Sequence, residues 1–385
     1  MKYRTDGIIP PPIVKLVEAA KRYSENPGFL DLGQGLPGHI PPETALSALK
    51  ERISHPTTHV YSPDEGLLEL REELALYVRQ KFEIDANPQD ELVITAGANS
   101  AFAGTILTLV NPKQNVIMPS PYYFNSVMAV KLVNGEIKEV PVDSDFQPRV
   151  EDIEAAIDSQ TCAVFLISPN NPTGAVYDRR VIDDIVDLCL QHDIMLISDE
   201  TYSSMVFDGA KHYSPRTRRD TEHNVITLGS FSKDFGMSGW RVGYAIGPAE
   251  FITEFLKVQD TITICAPTAG QILALEVLKK GLDTVEIELQ RLGHLRELAY
   301  LRLREIDAFE EFYTKGTFYL FPRVKGCTDS KKLVLDILQS TGTLILPGSI
   351  FGSAGESHVR LSFGHLTPEA VDEAFNRLSG FFKNG

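Results

Sequence analysis

The middle of the chain alternates short apolar runs with amphipathic stretches, and no other feature limits the fold as much. The runs are Leu92–Thr95, Val116–Met118, Ile137–Val142, Ala163–Ser168, Ile194–Ser198, Val225–Gly229 and Val242–Ile246. Between them lie stretches of helical period such as Ser100–Val110 and Arg180–Gln191. Strands that are apolar throughout are buried on both faces, so helices must cover both sides of the sheet. The pattern predicts an α/β domain with a largely parallel sheet.

Around residue 281 the texture changes. A long charged helical stretch, Val285–Glu305, leads into a hairpin-like Gly316–Pro322, and helix and strand patterns run on to the C-terminus. This reads as a smaller α+β domain. The expected division is residues 1–40 as a strap rich in Pro and Gly, 41–280 as the large domain and 281–385 as the small one. A chain of 385 residues suits two domains, and 43% hydrophobic with 23% charged residues suits a folded core.

The formal net charge is −15. Such a surface repels phosphate backbones and anionic lipid, so neither nucleic acid nor membrane is an expected partner. Cys162, Cys189, Cys265 and Cys327 are widely spaced, without a metal-ligand pattern. They read as buried free thiols of a reducing compartment, and no metal is expected. Met1–Tyr23 is polar and proline-interrupted, so no signal peptide is expected and the cytoplasm is the expected location.

In an open α/β sheet, ligands bind beyond the carboxyl ends of the strands. Five runs end in polar or glycine-containing segments: Gly97-Ala98-Asn99, Pro121-Tyr122-Tyr123, Ser168 to Gly174 with Asn171, Asp199-Glu200 with Tyr202, and Ser230-Phe231-Ser232-Lys233. Each has an ordinary reading by itself. Lys233 alone is a solvated lysine, Asp199-Glu200 a helix N-cap region, Asn171 to Gly174 a turn, and Tyr123 a core residue. Their arrival at one sheet edge points instead to a site with an amide, an aromatic ring, a carboxylate, a phenol and an amine.

Gly229 to Gly243, with Lys233 and Arg241, resembles the cofactor-lysine signature of the aspartate-aminotransferase-like (class I/II) pyridoxal-phosphate enzymes. The Asn171-Pro172-Thr173-Gly174 turn, the Asp199/Tyr202 pair, and Pro347–Gly352 with His358–Phe363 are similar to the same family, and the likeness runs from about Leu32 to the C-terminus. The resemblance implies fold type I: a large domain with a mixed, mostly parallel seven-stranded sheet flanked by helices, plus a smaller α+β domain built from both termini. It implies pyridoxal 5′-phosphate as cofactor, held as a Schiff base on Lys233, which would also move the substrate α-proton. Asp199 would pair with the pyridine nitrogen, Tyr202 and Asn171 would donate to the phenolic oxygen, and Tyr123, where many relatives carry Trp, would stack on the ring. Gly97, Ala98, Asn99, Ser230 and Arg241 would hold the phosphate. Tyr61 would reach that phosphate from the neighbouring subunit of a homodimer with shared active sites; its plain alternative is local packing. Arg360, Asn171 and the backbone of Gly35 would receive the substrate carboxylate; for Arg360 the alternative is a structural ion pair.

The implied activity is amino transfer between an L-amino acid and a 2-oxo acid, with 2-oxoglutarate as the expected acceptor. The alternatives are another reaction on the same scaffold (β-lyase, elimination or cyclisation) and an effector-sensing module without catalysis. Gly7–Pro10 and Gly35–Ile40 are expected to border the side-chain pocket, and their apolar character points toward neutral or aromatic substrates. Lys15, Lys21 and Arg22 are candidate cations for a second substrate carboxylate. His39 reads as a solvated loop residue with a possible substrate contact.

Overall fold

The computed structural model describes residues 3, 5–8, 13–24 and 28–384, except for the side chains of Ile13, Lys15, Val17, Ser24 and Asn384. Helix α1 (Ile13–Ser24) and strand β1 (Leu30–Asp31) lead to helices α2 (Glu43–Arg52) and α3 (Leu68–Phe82). The central part follows as β2 (Leu92–Thr95), α4 (Ala98–Leu109), β3 (Asn115–Pro119), α5 (Phe124–Leu132), β4 (Glu136–Val140), α6 (Val150–Ala156), β5 (Thr161–Ile167), α7 (Arg179–His192), β6 (Met195–Asp199), β7 (Val225–Ser230) and β8 (Gly243–Ile246). Helices α8 (Ala249–Thr263), α9 (Thr268–Lys280) and α10 (Leu282–Arg304) lead into β9 (Tyr319–Leu320), α11 (Ser330–Thr341), β10 (Thr343–Leu344), β11 (Leu346–Pro347), β12 (Val359–Ser362) and α12 (Pro368–Asn384).

Strands β2 to β8 form one seven-stranded sheet in the order β2-β8-β7-β6-β5-β3-β4. All the expected runs are strands, with ends shifted by a residue or two. Only β8 runs against its neighbours, pairing antiparallel with both β2 and β7. Each face of the sheet has its own apolar core, as the two-fold alternation of a strand demands. In β5, Ala163, Phe165 and Ile167 pack with Phe102 and Ile106 of α4 and Phe255 of α8, whereas Val164 and Leu166 pack with Ile182 and Ile185 of α7.

The smaller α+β part draws on both ends of the chain. Strand β1 pairs in parallel with β10, and β12 lies between β11 and β9 in a three-stranded antiparallel sheet. Gly316–Pro322 is not a local hairpin. Only Tyr319 and Leu320 form a strand there, and they pair with β12, some forty residues further on. Asp199-Glu200 caps no helix either, because a turn follows. All four cysteines are free, but only Cys189 is fully buried, which corrects the expectation for Cys162, Cys265 and Cys327. Among the described residues no helix is long and apolar enough to cross a membrane.

Phe165 lies at the centre of the sheet and is almost wholly buried against Phe102. Phe165→Ala should lower stability by about 3–5 kcal/mol, the cost of a large core cavity. A urea melt with an unchanged midpoint would contradict that placement.

Candidate active site

A cavity of about 370 Å³ opens where β2, β3, β5, β6 and β7 end. The reversed strand contributes too. Because β8 is antiparallel to its neighbours, the residues before its first strand position lie at this same edge, and Arg241 is among them. Ala98, Asn99, Tyr123, Asn171, Asp199, Tyr202, Ser230, Lys233, Arg241, Gly35 and Arg360 all line the cavity. Gly97 sits just behind the lining. Tyr61 is not brought there by its own chain; it is 75% exposed to solvent.

One end of the cavity is built for an anion. Helix α4 begins there, with Gly97 as its N-cap at φ +90°. A side chain at Gly97 would collide with the Arg241 guanidinium, so glycine is what lets the helix start and the cation meet. Arg241 is held by Nη1 donating to the Ser238 carbonyl (2.8 Å) and Nη2 to that of Ala96 (3.3 Å). The Ser230 hydroxyl oxygen accepts from the Ser232 N–H (3.0 Å), which leaves its hydrogen available to a ligand. Amides at a helix start, a guanidinium and a hydroxyl together can receive a phosphate.

Lys233 occupies the middle. Its Nζ donates to the Gly35 carbonyl. Burial, followed by the charges of Arg360 and Arg241, pulls its amine down to about 8. Asp199, at the tip of β6, accepts from the Thr201 N–H (3.0 Å) and makes no ion pair among the described residues. Burial pushes its carboxyl upward, so a cationic N–H beside it would be strongly favoured. Asn171 directs its Nδ2 to the Tyr202 oxygen (3.5 Å). Tyr123 flanks the cavity, and its hydroxyl accepts from Asn125 Nδ2 (3.1 Å). A phosphorylated pyridine aldehyde would fit this donor set, with the α4 start to hold its phosphate, Asp199 to pair with its ring nitrogen and Lys233 to meet its aldehyde.

Arg360 is 3% exposed. Its Nη1 donates to Asn171 Oδ1 (2.9 Å) and its Nη2 to the Gly33 carbonyl (2.6 Å), while Nε has no partner. The guanidinium lies over the Tyr319 ring at 4.5 Å and the Phe351 ring at 5.1 Å. No carboxylate pairs with it among the described residues, so the structural ion pair is ruled out there. A buried guanidinium without a counter-ion calls for an anionic ligand.

Several expectations around the rim change. His39 is only partly solvated: its Nε2 lies 3.1 Å from the Asp234 carbonyl, bracing the turn that carries Lys233, and it is not among the residues that line the cavity. Gly7 and Ile8 line a neighbouring space of about 420 Å³ beside Tyr122 and Phe124, while Ile9 and Pro10 lie outside the described residues. Lys21 and Arg22 sit in the last turn of α1, away from the cavity lining, and the Lys15 side chain lies outside the described residues. Of Gly35–Ile40, Gly35 and Leu36 reach the cavity. Sequence reasoning missed Tyr319, whose hydroxyl lies 2.9 Å from that of Tyr202. One signal was present: a tyrosine within an apolar strand needs a partner for its hydroxyl.

The sequence profile described as "Aminotransferase class I and II" matches residues 27–378. Aromatic-amino-acid aminotransferase 2 of Thermococcus litoralis is 33% identical, over 99% of this chain and 97% of its own. Aspartate aminotransferase of Pyrococcus abyssi is also 33% identical, over 98% and 97%. The crystal structure of an aromatic aminotransferase from Pyrococcus horikoshii superposes with a TM-score of 0.89 at 32% identity, covering 95% of this chain and 99% of that one.

The Lys233 environment makes a pH prediction. Only the neutral amine attacks an aldehyde, and a depressed midpoint makes that form available at lower pH. With cofactor stripped from the protein, the rate at which pyridoxal combines with Lys233 should rise with pH through a midpoint near 8 and level off above it. A midpoint near the ordinary 10.5 would mean that the amine is solvated.

Proposed function

The chain belongs to the class I and II aminotransferases, pyridoxal 5′-phosphate enzymes that move an amino group between an amino acid and a 2-oxo acid, and we propose that Lys233 is the residue that bonds the cofactor aldehyde and carries the substrate α-proton. One observation supports this above the others. An amine with a depressed midpoint shares one cavity with a carboxylate without an ion pair and a buried guanidinium without a counter-ion among the described residues. The cofactor, when bound, supplies an electron sink for the carbon that loses its proton. The protein's part is to place groups. Asp199 would keep the ring nitrogen protonated, Tyr202 and Asn171 would hold the phenolic oxygen, and Tyr123 would cover the ring. Ala98, Asn99, Ser230 and Arg241, with Gly97 allowing their approach, fix the phosphate. Arg360 clamps the substrate carboxylate in a planar fork, and Asn171 and the Gly35 backbone complete the clamp. That clamp sets the angle at which the α-proton faces Lys233.

Substrate choice follows from what remains of the wall. Among the described lining residues the cations are Lys233, Arg241 and Arg360. The cofactor engages the first two and the substrate α-carboxylate the third, so none is left for a second carboxylate. Leu36, Leu344, Leu346 and Tyr319 supply an apolar surface, which supports donors with neutral or aromatic side chains. We take 2-oxoglutarate as the acceptor: its arm is one methylene longer than that of aspartate, and Gln34 of the lining is an exposed amide that its second carboxylate would meet. Lys233→Ala should abolish turnover. In the unaltered enzyme with 2-oxoglutarate, phenylalanine should exceed aspartate in kcat/KM by about tenfold or more, a difference of about 1.4 kcal/mol in transition-state binding. Aspartate preferred over phenylalanine would overturn the substrate reading, and an active Lys233→Ala enzyme would overturn the catalytic one.

We also propose a homodimer with shared sites, a division at residues 1–40, 41–280 and 281–385, and a cytoplasmic location. The segment carrying Val60 and Tyr61 is tied to α8 by Gln259 Nε2 donating to the Asp64 carbonyl (2.5 Å) and to α9 by Thr268 Oγ1 donating to that of Val60 (3.0 Å). Val60, Tyr61 and Ile262 of α8 are at least 60% exposed there. An exposed apolar group of this kind supports burial by a second copy. Gly281, between α9 and α10, supports the division, and the free cysteines support a reducing compartment. Mixing inactive Tyr61→Ala and Lys233→Ala chains should restore partial activity, because hybrid dimers then hold one intact site. No recovery, with hybrids demonstrated by native mass spectrometry, would place Tyr61 outside the site.

A further inference from the structure

We propose that Tyr319 is a positioning residue for the amino-transfer reaction: its hydroxyl donates to Tyr202 and thereby sets how strongly Tyr202 donates to the cofactor's phenolic oxygen, while its ring forms the floor of the Arg360 carboxylate receptor. The inference rests on the proposed function, in which the cofactor is bonded to Lys233 beside Tyr202.

The register places Tyr319 for both tasks. Tyr319 of β9 is the cross-strand partner of Ser362 in β12, and Arg360 lies two residues along on the same face. The ring therefore comes under the guanidinium, at 4.5 Å. Its hydroxyl enters the space beside Gly35, where any side chain would collide with it, and lies 2.9 Å from the Tyr202 hydroxyl.

The donor direction follows from the neighbours and the proposed function. Arg360 Nη1 donates to Asn171 Oδ1, which fixes that amide and turns its Nδ2 toward the Tyr202 oxygen. Among the described residues, the Tyr319 hydroxyl has no hydrogen-bond partner other than Tyr202. Either hydroxyl can donate across this contact; once the Tyr202 hydrogen is committed to the cofactor's phenolic oxygen, as the proposed function has it, Tyr319 is the donor and the Tyr202 oxygen accepts. Burial raises both phenols above their ordinary value, so each keeps its proton near neutral pH. A hydroxyl that accepts a hydrogen bond becomes a stronger donor. If only packing were needed, phenylalanine would serve at this position, as it does at Phe318 next to it, and would spare the burial of a hydroxyl.

The test is an absorbance titration of the holoenzyme, read at the Lys233–cofactor chromophore. Tyr319→Phe keeps the ring and removes the hydroxyl. The chromophore's midpoint should rise by about half a pH unit, while the amino-donor KM changes less than about twofold. Tyr319→Leu also removes the ring, and KM should rise about fivefold beyond the Phe variant. In a Tyr202→Phe background, Tyr319→Phe should add no further shift. An unchanged midpoint in Tyr319→Phe, or a shift that persists without the Tyr202 hydroxyl, overturns the hydrogen-bond role. Equal KM values for the Phe and Leu variants overturn the floor role. Failure of the underlying reading would look different: borohydride would fix no cofactor on Lys233 in the unaltered protein.

Discussion

A buried positive charge without a counter-ion organises this molecule. Arg360 lies in a strand whose residues are all buried, and its only hydrogen-bond partners among the described residues are a side-chain amide and a backbone carbonyl. A buried charge left unpaired is costly by several kcal/mol, roughly. The surroundings reduce that cost without neutralising it. Gly33 comes from the segment after β1, Asn171 from the end of β5, and Tyr319 and Phe351 from the C-terminal part. Three regions of the chain are thus gathered round one guanidinium. The same charge acts on Lys233, where it adds to burial in lowering the amine's midpoint. The group proposed to receive one part of the ligand thereby tunes the residue proposed to react with another.

Topology delivers the rest. A parallel sheet collects strand ends at one edge, and a single reversed strand would ordinarily point its end away. Here the reversal of β8 is useful because the residue needed from it, Arg241, precedes the strand instead of following it. The left-handed backbone of Arg241 (φ 55°) and the positive φ of Gly97 bring guanidinium and helix start together. The proposed phosphate end therefore rests on backbone geometry and on the sheet.

What could be read from the sequence follows a physical division. Buried strands such as β5 and β7 are apolar throughout, so their positions and the residues at their tips are visible locally. The arrival of Lys233, Asp199 and Asn171 at one sheet edge is legible for that reason. Tyr319 is not, because β9 is two residues long and its partner β12 lies about forty residues further on. A run such as Phe318–Phe321 looks like half of a hairpin when pairing is judged locally. His39 misleads for a related reason: its partner is the Asp234 carbonyl, 195 positions away, and no local pattern announces such a contact. The thiols show the same limit, since burial of an isolated cysteine depends on which helix face or loop it occupies.

The two kinds of wall round the cavity also explain how one scaffold serves several substrates. The groups proposed to hold the cofactor stand at the tips of strands buried on both faces, where a change propagates into two apolar cores. The surface proposed to face the substrate side chain comes instead from Gly33–Leu36 and from the short strands β9, β10 and β11. Substitution there leaves the sheet, and hence the cofactor's seat, in place. Similar chains can therefore bear names as different as aromatic-amino-acid and aspartate aminotransferase at the same level of identity to this one. Gly35 marks where the two walls meet: its carbonyl holds the Lys233 amine, and its missing side chain makes room for Tyr319. Freedom to vary that wall ends at this residue, because any side chain added there would displace the phenol that touches both Arg360 and Tyr202.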